Sequence, residues 1–165
     1  MGQFHSIVNL SEKPEFADVC AAWSFGEWGS QIAGRTLEQN MTRYRNSAGI
    51  KNELPCTWLA LVNDRPAGMI SLKDNDHPDH NDLSPWLASL YIHPEYRGKG
   101  LAAKLIAHVE DFAKTELKIP QLYLFTHTAD ALYKKRGWIE IKNIRDPSGI
   151  RPEGDTLFKK ELLDV

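Results

Sequence analysis

The chain has 165 residues, of which 42% are hydrophobic and 25% charged, and a formal net charge of −2. That length suits one domain, 1–165, with a full hydrophobic core, and the balanced charge gives no basic field for nucleic acid. No run approaches the ~18 apolar residues of a membrane span, and two isolated cysteines, Cys20 and Cys56, lack zinc-type spacing and fit a reducing cytoplasm.

The start, "MGQFHSIVNL", has no charged leader followed by a long apolar stretch, so no secretory signal is expected. Gly2 and Ser6 satisfy the loose myristoylation pattern, but the same residues read better as a first strand, 3–8. Residues 11–28 read as a helix capped at Ser11, with Pro14 in its first turn and Phe16, Val19, Cys20 and Trp23 at helical spacing. A second helix is expected over 36–47. Strands at 57–64 and 66–74 flank a turn at Asp64-Arg65-Pro66. Residues 74–85 form a polar loop, and 86–92, "WLASLYI", is an apolar strand of the kind buried on both faces.

Next comes "HPEYRGKG", then a helix with Leu101, Leu105, Val109 and Phe112 on one face and Glu110, Asp111 and Lys114 elsewhere. A strand at 121–126, a short helix at 129–137 closed by Gly137, and strands at 138–143 and 155–162 complete the chain. The order β-α-α-β-β-β-α-β-α-β-β predicts one mixed α/β domain.

The stretch "YRGKGLAAKL" sets Gly98 and Gly100 beside Arg97 and Lys99 where a helix begins. A helix N-terminus exposes unpaired N–H groups, and glycines before it let an anion approach the backbone. The stretch therefore predicts a phosphate or pyrophosphate site. No P-loop pattern is present. Residues 98–103 satisfy the dinucleotide fingerprint G-x-G-x-x-A, but "HPEYR" separates them from their strand, and the next strand ends "LFTH" without an acidic residue for a ribose.

A third pattern fits. Arg97-x-x-Gly100-x-Ala102 resembles the acetyl-CoA motif of the GCN5-related N-acetyltransferase family, and "ALYKKRGW" resembles its Tyr-x-x-x-Gly-aromatic element. The resemblance is specific over 86–143 and reaches the whole chain through the order of elements. It implies a mostly antiparallel mixed sheet with splayed fourth and fifth strands, about four helices, and direct acetyl transfer from acetyl-CoA to an amine in a ternary complex. It also implies that the N–H groups around Arg97, Gly98, Lys99, Gly100, Leu101 and Ala102 hold the pyrophosphate. The backbone of Leu90 and Ile92 would hold the pantetheine arm. Tyr133 would be the general acid, and its phenol, pKa ~10, keeps a proton to give. Thr126 stands where many relatives have Asn, at a cofactor or water contact.

The base is open. Ser89 stands near where many relatives carry Glu and cannot do that work. Asp82, just before the fourth strand, and His127, after the fifth, are the candidates. Trp23, Phe25 and Trp28 at helical spacing are expected in the core. Asp74, Asp76, Asp79 and Asp82 are expected in a solvated loop. His77, Asp79 and His80 do not make a recognised metal pattern, so no metal is expected. The expected partner is a small-molecule or peptide amine, with the chain cytoplasmic and a monomer or homodimer. A non-catalytic acyl-CoA-binding sensor is the alternative function.

Overall fold

The computed structural model describes residues 5–49, 51 and 53–163. The first strand, β1, is His5–Asn9. Residues 3 and 4 of the expected strand, and Gly2 of the myristoylation pattern, lie outside the described residues.

The helix expected over 11–28 is broken. Two single 3-10 turns, Leu10–Glu12 and Pro14–Phe16, precede α1, Ala17–Glu27. Asn9 caps the first turn by accepting from the Ser11 N–H at 2.9 Å, so Ser11 is capped and does not itself cap. Pro14 has no N–H to continue a helix through it, which is why the α-helix begins only after it. Helix α2, Leu37–Ser47, matches expectation and starts in a capping box between Thr36 and Gln39.

Strands β2, Cys56–Val62, and β3, Arg65–Lys73, are joined at Asn63-Asp64, earlier than expected. Both residues have positive φ, 50° and 65°, as a two-residue hairpin of matching twist requires. Pro66 thereby belongs to β3. Strand β4 is Trp86–Ile92, α3 is Leu101–Thr115, β5 is Gln121–Thr126 and α4 is Asp130–Lys135. Strands β6, Ile139–Ile144, and β7, Asp155–Glu161, end the fold.

The seven strands lie in one sheet in the order β1-β2-β3-β4-β5-β7-β6. Every neighbouring pair is antiparallel except β4 and β5. Side-chain alternation sends Trp58, Ala60, Ile70 and Leu72 to one face, against Leu105, Ile106 and Val109 of α3. Leu59, Leu61 and Met69 face the other way, against Ala17, Cys20 and Tyr44 of α1 and α2. Glu110, expected on the polar face of α3, is instead buried, and Lys160 of β7 donates to both its carboxylate oxygens at 2.7 and 2.9 Å. Burying that carboxylate without the ammonium would be costly.

Candidate active site

Strand β4 is buried over its first three residues and half-buried over its last four, where two-sided burial was expected. The change coincides with a bulge. Between the pairs Ser71↔Ala88 and Met69↔Tyr91, β3 advances two residues and β4 three. The extra residue lies at Ser89-Leu90, and Ser89 has φ 55°. Leu90 and Ile92 pack on the α3 side, whereas Tyr91 packs on the α1/α2 side.

Strands β4 and β5 are in register only at Trp86↔Tyr123, with the Tyr123 N–H donating to the Pro85 carbonyl at 3.0 Å. Beyond that pair they part, so the β5-facing edge of β4 from the bulge onward has no ladder with β5. The opening points toward the glycine turn. One group there is already used, since Arg97 Nε donates to the Ile92 carbonyl at 2.8 Å. The Arg97 guanidinium also lies 5.7 Å from the Tyr91 ring centroid, and Lys99 Nζ lies 5.6 Å from that of Tyr96.

After one 3-10 turn, Pro94–Tyr96, the chain passes through Gly98 at φ 77° and Gly100 at φ 78°. Gly100 is the N-cap of α3 and no side chain caps that helix, which leaves its leading N–H groups without a side-chain acceptor. A Cβ built at Gly98 or Gly100 would meet nothing within 4 Å. The left-handed backbone and the open space fit a pyrophosphate laid on the turn. Leu101 is buried, Ala102 half-buried and the residues from Arg97 to Gly100 exposed.

Tyr133 is buried at 5% exposure, with Trp138 and Phe158 centroids at 5.9 and 6.2 Å. Burial alone pushes its phenol well above the ordinary value. It belongs to the same core cluster against which Leu90 and Ile92 pack. Gly137, at φ 85°, ends α4 behind it. The Thr126 hydroxyl accepts from the Ala129 N–H at 3.2 Å and so fixes the turn into α4.

The two base candidates lie at opposite ends of the opening. Asp82 is exposed in a turn ahead of β4, at the end where β4 and β5 are still paired. His127 follows β5 at the end where they have parted, 3.7 Å from Glu153 and 3.9 Å from the buried Asp155. Asp155 Oδ1 accepts from Arg151 at 3.0 Å, and its Oδ2 is buried with no partner among the described residues.

The acidic loop is not uniformly solvated. His77 is buried, donates Nε2–H to the Arg145 carbonyl at 2.7 Å and accepts at Nδ1 from the Asp79 N–H. Asp79 pairs with Arg145, tying the loop to the β6–β7 connection. Asp76 turns inward to Lys73 at 3.5 Å. Burial pushes the Asp76 carboxyl up, and burial pulls the Lys73 ammonium down. Of the three N-terminal aromatics expected in the core, Trp23 packs against the α1/α2-side cluster and the other two are more open. Trp28 is 37% exposed, Phe25 is half-buried, and half-buried Trp23 stacks on Tyr91 at 5.3 Å. Only Trp23 is seen to reach β4, and helical spacing alone could not distinguish it from the other two. Among the described residues no group of three or more His, Cys, Asp or Glu is arranged to hold a metal. No helix among them is long and apolar enough to cross a membrane.

Comparison with known proteins agrees with this geometry. No curated protein matches the chain. Among solved structures, a GNAT-family acetyltransferase from Streptococcus pneumoniae superposes with TM-score 0.68 at 19% identity, over 96% of this chain and 99% of that one. The dodecameric spermidine N-acetyltransferase from Vibrio cholerae gives TM-score 0.72 at 16% identity, over 96% and 94%. A Salmonella typhimurium protein solved with its cofactor acetyl-CoA gives 0.69 at 14% identity, over 100% and 96%. At these identities the structures establish a shared fold, the splayed sheet. The acetyltransferase (GNAT) family model matches residues 20–138, from α1 through the Tyr133–Trp138 element. The chain belongs to the GNAT acetyltransferase family, and its cofactor is acetyl-CoA.

Proposed function

We propose that the protein is an N-acetyltransferase that moves the acetyl group from acetyl-CoA to a primary amine by direct attack in a ternary complex. The observation that carries this is the continuity of three features. The uncapped Gly98/Gly100 turn follows a strand, β4, whose edge has parted from β5, and Leu90 and Ile92 of that strand pack against the core cluster that holds Tyr133.

Acetyl-CoA supplies an activated thioester. The amine nitrogen forms a bond to the carbonyl carbon, the carbon–sulfur bond breaks, the sulfur gains a proton and the amine loses one. The chain's residues divide this work. N–H groups from Gly98 to Ala102 hold the pyrophosphate, and the backbone around Leu90 and Ile92 pairs with the pantetheine arm as an added strand would. A backbone N–H at the bulge is directed to the thioester oxygen, where negative charge develops. Arg97 acts mainly by holding the end of β4 through the Ile92 carbonyl. Thr126 fixes the α4 entry on which Tyr133 rides.

Tyr133 gives the proton to sulfur. Its raised pKa keeps the hydroxyl protonated throughout the working range. The same shift makes it a weaker acid, so transfer depends on the dry cluster raising the basicity of the sulfur as well.

The amine arrives mostly protonated and needs a base. The geometry favours His127 over Asp82. His127 is at the parted end of β4 and β5, and the Asp155 oxygen that accepts from Arg151 lies 3.9 Å from its Nδ1. The test is a pH–rate profile, on a free amine that the wild-type protein acetylates, for His127→Gln and Asp82→Asn. With His127 as base, wild-type kcat/KM rises with pH, and His127→Gln alone loses that limb. An unchanged profile in His127→Gln removes the assignment. Acetyl-CoA binding without transfer to any amine removes the proposed activity and leaves the sensor reading.

A further inference from the structure

A small cleft on the α1/α2 face has no part in the chemistry described so far. It is lined by Arg43 and Tyr44 of α2, Thr57 of β2, and Ser71 and Lys73 of β3, with Ser47 at its end. Three of these groups form a hydroxyl chain, Ser47···Thr57 at 3.4 Å and Thr57···Ser71 at 2.7 Å. Three hydroxyls with two contacts leave at least one O–H to donate elsewhere.

The charges in the cleft are unbalanced. Lys73 carries three donors, and its ion-pair partner is a single carboxylate, Asp76, at 3.5 Å. Arg43 is exposed and has no hydrogen bond or ion pair among the described residues, and its charge acts on the same Asp76 carboxylate. Two cations thus share one carboxylate at a lined recess. A half-buried ammonium with spare donors is an expensive group to keep unless something accepts from it.

The cleft also lies beside the transfer point. Ser71 pairs with Ala88, the residue before the bulge residue Ser89. One strand spacing and one residue step put the cleft roughly 5–8 Å from the bulge. Tyr44 connects the two. Burial pushes its phenol up, while the hydroxyls of Ser24 and Ser89 act against that shift. The recess is small, ≈ 40 Å³, the size of a compact polar group and not of a whole acceptor.

We infer that this cleft binds the carboxylate of the acceptor through Arg43, Lys73 and a Thr57 or Ser71 hydroxyl, so that the acceptor is a short amino acid or dipeptide carrying both an amine and an acid group. The inference rests on the acetyl-transfer reading above and names the acceptor class for that site. A polycation such as a polyamine meets two positive charges here, and the carboxamide of the same acceptor loses both charge-assisted contacts. The spermidine enzyme that shares this fold acts on the opposite charge type, so fold does not decide the matter.

Rates of free-thiol release are measured with α-amino acids and glycyl dipeptides, each beside its carboxamide, and with spermidine and an amino-sugar phosphate. The expected result is a kcat/KM at least tenfold higher for the best free acid than for its amide. Arg43→Gln, an exposed change, brings that ratio toward one with CoA affinity intact, and Lys73→Met does the same if it folds. Parity or preference for the amide, for spermidine or for the phosphate overturns the inference, as does an unchanged ratio in Arg43→Gln. If no amine is acetylated, amide NMR shifts of Thr57 and Ser71 are followed in CoA-loaded protein on adding the same amino acids. Saturable shifts that Arg43→Gln abolishes uphold the carboxylate site while the transfer reading fails. No shifts overturn the site.

Discussion

The two sides of the sheet near the β4 bulge are built in different ways. On the α3 side, the proposed cofactor site is made largely of backbone: two left-handed glycines, an uncapped helix start and a strand edge that has parted from β5. On the α1/α2 side, the cleft is made of side chains from α2, β2 and β3. Backbone sites recognise what every acetyl-CoA presents, a pyrophosphate and an extended amide arm. Side-chain sites recognise what differs among acceptors. One fold can therefore keep its donor and change its acceptor by substitutions that leave the sheet untouched.

The largest expected effect tests the one side chain on which the backbone-built half depends. Tyr133→Phe lowers kcat by about 10²-fold or more, the range of general-acid assistance, while CoA affinity by calorimetry changes little. Wild-type turnover with chemistry rate-limiting breaks the assignment.

A smaller effect separates backbone from side chain within the cofactor site. Gly100→Val meets no protein atom within 4 Å, yet it forces a branched residue to φ 78° and fills the space left for the phosphate. CoA affinity falls by about tenfold or more, in line with a left-handed penalty of ~1–2 kcal/mol plus obstruction. Gly149→Val, at φ 74° and also in open space, carries a similar strain away from the turn and leaves CoA affinity unchanged. Equal losses in both variants mean that strain alone acts and that the turn is not the phosphate site.

The smallest effect concerns the β6–β7 connection that carries the groups around His127. Burial alone would push the Asp146 carboxyl up, but the Ser148 hydroxyl, the N–H groups of Arg151 and Ser148 and the Arg151 charge outweigh it and hold the pKa at about 2. A lowered pKa means the folded state binds the proton less readily than the unfolded chain. The stabilisation is complete above the unfolded value near 3.8 and is lost as pH falls toward about 2. Asp146→Asn costs on the order of 2 kcal/mol at neutral pH, and the gap from wild type closes on acidification, read by urea unfolding. A gap independent of pH over that window rules out the charge as its source.

What the sequence determined by itself was local and contiguous. Residues 97–102 and 131–138 are short runs whose backbone demands, left-handed glycines and a helix start, can be met by few residue types, so the pattern is visible along the chain. The order of elements along the chain and most of their bounds followed from periodicity, while the mostly antiparallel sheet with parted β4 and β5 came from the family resemblance. The α1 start was misjudged because Ser11 and Pro14 look like a helix start in sequence, while Asn9 takes the cap and Pro14 breaks the hydrogen-bond ladder. Tertiary structure decided the rest. Glu110 is buried because Lys160, fifty residues away, arrives from β7. Asp76 turns inward to Lys73 while Asp79 turns to Arg145, a difference that no composition of the loop encodes. Arg43, Thr57 and Lys73 come together because a helix and two strands pack face to face.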